Sequence, residues 1–134
     1  MNPKADELKA RTKQFALDVL AFIDTWSHSS SNDHVSYQLC KGATSVAANY
    51  RASCRGRSKP QFAAKIGMVL EEADESLFWL EIADARRVGA DSERRRLLVE
   101  ANELTAIFAA SSMTVRNSLA NAPRRDQTQH ARTI

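Results

Sequence analysis

Residues 58–89 read SKPQFAAKIGMVLEEADESLFWLEIADARRVG, and the spacing of the apolar side chains within them decides the fold class. Phe62, Ile66, Val69, Ala73, Ser76, Leu80 and Ala83 recur at steps of three and four, the period of one helix face. A second stripe, Ala63, Ile66, Leu70, Ala73, Leu77, Leu80 and Asp84, runs beside it. Two adjoining stripes make the wide apolar face of a bundle helix, whereas a two-stranded coiled coil needs only a narrow seam. Ser58 and Gln61 mark the start as a capping box, the hydroxyl accepting from the third helical N–H while the amide reaches back. Gly89 marks the end. A helix of about 30 residues is some 45 Å long at 1.5 Å per residue. Gly67 inside it costs about 1 kcal/mol of helix propensity relative to Ala, which points to close packing there.

The same period continues in both directions. Upstream, Asn2 caps a helix with Pro3 at its first position, where a missing N–H is harmless, and Leu8, Phe15, Val19, Phe22 and Trp26 share one face. The run Ser27 to Asp33 breaks the pattern with side chains that favour turns and caps. Asn32 or Asp33 caps a second helix whose inward positions are Val35, Leu39, Ala43, Val46, Tyr50 and Cys54. Ala43, Ser45, Ala47 and Ala48 keep that helix slim enough for a close neighbour, and Gly56 ends it. Downstream, Asp91 or Ser92 caps a fourth helix along which Leu97, Ala101, Leu104, Phe108, Ser111 and Val115 alternate, reaching Leu119. The expected helices are 3–27, 33–55, 59–88 and 92–120, forming one domain over 1–120, followed by a basic, disordered tail over 121–134. Short loops make successive helices antiparallel, so the expected architecture is an all-α, up-down-up-down four-helix bundle.

Composition agrees. With only 4 Gly and 3 Pro, the chain lacks the turn residues that a strand-and-turn fold needs about every ten positions. A length of 134 residues suits one domain. No apolar run approaches the roughly 18 residues that span a bilayer, and the charged start MNPKADELKARTK has no signal-peptide core; a cytoplasmic location is the expectation. Cys40 and Cys54, in one helix, lie about 21 Å apart along its axis at 1.5 Å per residue, too far to bridge, and read as buried reduced thiols.

The net charge of +3 is modest, but its distribution is uneven. Arg51, Arg55, Arg57, Lys59 and Lys65 occur with no acid between them, and Glu71 to Asp84 holds six acids and no base. Arg86, Arg87, Arg94, Arg95 and Arg96 follow, and the tail adds Arg124, Arg125 and Arg132. An up-down-up-down bundle collects Lys4, Lys9, Arg11, Lys13, Arg55, Arg57, Lys59 and the tail at one end, Arg86, Arg87 and Arg94 to Arg96 at the other, and acids at the waist. Such cation clusters bind phosphate backbones without reading sequence; the alternative is a set of solvated helix ends.

The stretch from Lys41 to Ala83 resembles the four-helix-bundle proteins encoded in intervening sequences of bacterial large-subunit ribosomal RNA genes, the S23-type family. The resemblance rests on Lys41, Ser45 to Asn49, Tyr50-Arg51, the turn at Ser58-Lys59, Phe62, then Glu71-Glu72-Ala73-Asp74-Glu75-Ser76 and the aromatic-rich Leu77 to Glu81. Many members carry an acid where this chain has Arg51, which suggests a subgroup and leaves the role of the position open. The resemblance implies a four-helix protomer, a ring-like homopentamer and no enzymatic activity. The accessory protein of diversity-generating retroelements is also similar, and implies a basic surface that engages nucleic acid and a reverse transcriptase.

Other chemistry finds little support. No Glu or Asp lies three residues before His28, His34 or His130, so the Glu-x-x-His pattern of di-metal bundles is missing. Asp33-His34 beside Ser29 to Ser31 offers hydrolase residue types without an oxyanion scaffold, and no phosphate-loop or paired Cys-x-x-Cys motif occurs. The expectation is therefore a non-enzymatic homo-oligomer with no metal, cofactor, small-molecule substrate or membrane partner. It binds RNA or DNA, or a ribonucleoprotein, through Arg55, Arg57, Lys59, Lys65, Arg124 and Arg125. The rival is a protein-interaction or structural scaffold. Arg51 is read as an ion-pair partner of Glu71, Glu72 or Glu75, between helices or between protomers, with phosphate contact as the alternative. Phe78 and Trp79 are candidate protomer contacts, because large aromatics concentrate at interfaces.

Overall fold

Each helix starts where a short polar side chain or a turn stops the preceding backbone. The computed structural model describes residues 2–121; the expected tail, with Arg124, Arg125 and Arg132, lies outside the described residues. The helices are α1 (Pro3–Ile23), α2 (Ser30–Ser53), α3 (Lys59–Ala85) and α4 (Asp91–Ala120). Asn2 caps α1, its Oδ1 accepting from the N–H groups of Lys4 at 3.1 Å and Ala5 at 3.3 Å. At α3 one half of the expected capping box forms, Ser58 Oγ accepting from Gln61 N–H at 3.3 Å, while Gln61 Oε1 reaches past the cap residue to accept from Arg57 N–H at 2.9 Å.

Two caps differ from expectation. Ser29, not Asn32 or Asp33, caps α2, because its Oγ takes the Asn32 N–H at 3.0 Å. Asn32 instead ties back to Ser27 O, and Asp33 meets His28 Nδ1 at 3.0 Å within the first turn. At α4 the cap position is Ala90, with no side-chain bond. Asp91 and Ser92 are already helical, and the Asp91 carboxylate accepts from Arg94 rather than from the backbone. Helix α3 also stops earlier than Val88. Arg87 takes a φ of 55° and Gly89 one of 75°, and a Cβ on Gly89 would lie 2.5 Å from the Phe22 ring.

The helices pack in a ring, α1 on α2, α2 on α3, α3 on α4 and α4 back on α1, with the α1–α4 seam the slightest. With the short connections this is the up-down-up-down bundle. The core is a single cluster in which Val19, Leu39, Val46, Ile66, Val69, Leu80, Leu97, Leu104 and Phe108 are wholly buried. Burying each such side chain stabilises by about 1.5–3 kcal/mol. Polar residues enter the core by bonding back to their own helix. Thr12 Oγ1 donates to Leu8 O at 2.9 Å, Ser53 Oγ to Tyr50 O at 2.6 Å and Ser76 Oγ to Glu72 O at 2.8 Å. Thr12 completes the α1 stripe between Leu8 and Phe15, and Ser112 rather than Ser111 is the buried serine of α4.

Glycine packing also differs. Gly67 faces open space, since a Cβ there would meet nothing within 4 Å. The close approach is at Gly42, where a Cβ would lie 2.7 Å from Ser76 Oγ and 3.6 Å from Glu72 O. Cys40 and Cys54 are free thiols and half-buried rather than buried. Among the described residues no helix is long and apolar enough to cross a membrane.

A candidate nucleic-acid interface

Helix α2 runs out at Ser53, and the turn to α3 leaves Arg55, Arg57 and Lys59 exposed at the end of the bundle from which α1 and α3 start. Arg57 and Lys59 line one concavity of about 450 Å³, with Asn2, Tyr50, Cys54 and Phe62 among its walls. Burial pushes the Tyr50 hydroxyl well above its ordinary range, and the neighbouring Cys54 adds to the effect. Lys59 Nζ donates to Ser118 Oγ at 2.9 Å, which steadies the ammonium without neutralising it. Lys65 lies about two turns further along α3, half-buried and apart from the other three cations.

What separates this end from the opposite one is charge compensation. No Asp or Glu occurs from His34 to Leu70, and among the described residues Arg55, Arg57 and Lys59 form no salt bridge. At the other end two of the five arginines, Arg94 and Arg96, are tied to carboxylates, while Arg86, Arg87 and Arg95 form no salt bridge among the described residues. Arg94 is only 2 % exposed. It donates to Asp84 at 2.8 Å, Asp91 at 2.6 Å, Val88 O at 3.0 Å and Gly89 O at 3.1 Å. The bond from Arg94 holds the Asp91 carboxyl below the usual carboxylate range. Arg96 pairs with Glu93 and with Asp18 of α1, the latter at 3.1 Å, while Arg86 donates to Ser31 Oγ. Arg11, expected at the basic end, forms a fork with Glu100 and Glu103 of α4, each at 2.6 Å. Sequence reasoning placed Arg94 among surface charges. The signal it missed is that an arginine ten residues after Asp84 and three after Asp91 can clasp the intervening turn.

Arg51 forms no salt bridge within the protomer among the described residues. The register explains this: Gly42 lies against Ser76 and Glu72, so a residue nine further along α2 lies level with the early turns of α3, short of Glu71. Arg51 instead lines a second concavity, between α1 and α2, with Lys9 and Lys13. Glu72 has Lys41 as its nearby cation. Desolvation and then Glu75 raise its carboxyl above the usual range, and Lys41 only partly opposes them. Its Oε2 is buried without a hydrogen-bond partner.

Phe78 is 51 % exposed and Trp79 half-buried. Trp79 stacks edge-on against His34 at 5.4 Å and against Phe78 at 5.0 Å, and Tyr37 is 64 % exposed. Among the described residues no group of three or more His, Cys, Asp or Glu converges on a point.

Residues 6–110 match the model of the 23S rRNA-intervening sequence protein family. A solved structure from Bacteroides thetaiotaomicron VPI-5482, a protein of unknown function from the S23 ribosomal protein family, has the same fold with a TM-score of 0.73. It is 20 % identical, and the alignment covers 82 % of this chain and 98 % of that one. No curated protein matches the chain.

Proposed function

The chain belongs to the 23S rRNA-intervening sequence protein family, and from that premise we propose that it is a non-enzymatic, homo-oligomeric bundle that binds nucleic acid or a ribonucleoprotein. The contact is electrostatic, made by Arg55, Arg57 and Lys59, with Lys65 as an outlying contributor. One observation carries the reading: the chain ties Arg11, Arg94 and Arg96 to carboxylates, yet leaves the α2–α3 turn without an acid. Cations that serve only solubility need no such segregation, whereas cations that meet phosphates gain from it. Assembly, a pentamer by the family resemblance, repeats a weak patch several times and raises avidity.

The test is fluorescence anisotropy of a labelled RNA against the full chain over a salt series. Binding whose logarithm falls linearly with the logarithm of salt is expected. The triple variant Arg55→Ala, Arg57→Ala, Lys59→Ala should weaken it at least tenfold and flatten the slope. Salt-independent binding, or none, rejects the proposal. A scaffold role is the second reading, favoured by the exposed Phe78 against Trp79 and by a second exposed aromatic, Tyr37. Light scattering of Phe78→Asp addresses it: loss of assembly assigns this face to protomer contact.

A further inference from the structure

We propose that the groove between α1 and α2 is a phosphate-binding surface that seats the backbone of a base-paired nucleic acid along the side of the bundle. The inference rests on the nucleic-acid reading and extends it beyond the end cluster. Lys9, Ala10 and Lys13 of α1 face Ala47, Ala48 and Arg51 of α2 across a concavity of about 410 Å³. The alanines make the floor. Their short side chains let the two helices form a trough, and the three long cationic side chains stand as its walls.

The charges there are available. Lys13 and Arg51 make no salt bridge among the described residues, and Lys9 meets only Asp6 at 3.1 Å, an exposed pair with side chains 40 % and 52 % accessible. Such a pair is worth little and yields readily to a competing anion. The acids that could close the trough are directed elsewhere. Asp18 takes Gln14 and Arg96, Glu100 and Glu103 take Arg11, and α2 carries no acid beyond Asp33. On α1 the acids Asp6 and Glu7 precede Lys9 within one turn, and Asp6 is the one that pairs with it.

The spacing suits a chain of phosphates rather than one anion. Lys9 and Lys13 are one turn apart on α1, about 6 Å of rise, and Arg51 faces them from the last turn of α2. Arg55, exposed in the turn that follows α2, comes between Arg51 and the end cluster along the chain. Among the described residues no aromatic side chain lines the trough; the exposed Tyr37 is on α2 and Phe78 on α3. Single-strand binders combine cations with aromatic platforms for unpaired bases. A surface of cations over alanine offers nothing to a base and suits a paired helix, which presents its phosphates outward.

The experiment measures binding of a labelled RNA duplex and of its separate single strand to the full chain across a salt series. The variants are Lys13→Ala with Arg51→Ala, Ala48→Glu, and Arg57→Ala with Lys59→Ala. All altered positions are exposed, and thermal melts confirm that each variant folds. Both groove variants should weaken duplex binding at least tenfold, and the first should lower the salt slope by about two, near one per lost phosphate contact. Wild-type affinity in both groove variants, alongside loss in the end variant, overturns the groove and leaves the end reading standing. Loss in the groove variants alone does the reverse. A tighter single strand, or equal competition by polyglutamate, overturns the base-paired class, and a wild type that binds neither RNA overturns both readings.

Discussion

Arg94 is the residue on which the most bonds converge. Its guanidinium, 2 % exposed, joins Asp84 at the end of α3, two carbonyls of the turn and Asp91 at the start of α4. Its carboxylate partners are 44 % and 69 % exposed and stay hydrated without it, so the loss on removing the guanidinium is that of its bonds to Asp84 and the two turn carbonyls, about 1–3 kcal/mol. Arg94→Met should therefore lower the thermal midpoint, whereas Arg95→Met, exposed and without a salt bridge among the described residues, should not. Calorimetry of the pair separates the clasp from mere loss of charge. The two helical glycines make a matching contrast. Gly67→Ala adds a methyl to open space and should stabilise by up to about 1 kcal/mol. Gly42→Ala drives a methyl to 2.7 Å from the Ser76 hydroxyl and should destabilise by about 1 kcal/mol, overpacking exceeding the propensity gain. Adding Ser76→Ala should recover most of that loss, and denaturant midpoints of the three variants decide it.

At the scale of the element, the α3 start carries the clearest local code. Ser58→Ala removes the acceptor for Gln61 N–H and should cost about 1 kcal/mol, read as a fall of a few degrees in the melt; it should also loosen the turn that displays Arg57. Ser58 and Gln61 were legible because both partners of the box lie within four residues. The start of α2 was not, because Ser27 to Asp33 offers a cap at nearly every position and only the helix direction selects Ser29. The core stripes were readable from period alone, and Thr12 escaped only because a hydroxyl that bonds back to Leu8 O looks polar in a sequence. The Arg51 pairing failed for a different reason. A hairpin's register depends on where its turn closes, and Gly42 opposite Ser76 puts Arg51 level with the early turns of α3, short of the acids. Charge availability at the two ends was equally hidden, since Arg11, Arg94 and Arg96 find their carboxylates only when the helices are in place.

Over the whole molecule the acidic waist sets how stability responds to pH, and Glu72 is its most strained member. Desolvation and the Glu75 charge hold its carboxyl above the range it has in an unfolded chain. A raised folded value means that the fold prefers the protonated form. The stabilising contribution is complete below the ordinary carboxylate range, about pH 4.3, and is lost as pH rises through the raised value. Asp91 acts in the opposite sense, because Arg94 lowers it, but its full exposure makes that effect weak. The ionised form of Glu72 is thus disfavoured in the fold, with Oε2 buried and unpartnered. Glu72→Gln removes the charge that desolvation and Glu75 disfavour and should stabilise the protein near neutral pH, by at most about 1 kcal/mol because the side chain is only half-buried and solvent screens it. The advantage should shrink on acidification and vanish near pH 4, where wild type and variant are both neutral. Melts of the two proteins across that range, with light scattering at each pH, test the account. A variant that is less stable at pH 7 and also dissociates would reject it and give the carboxylate a cationic partner on a neighbouring protomer.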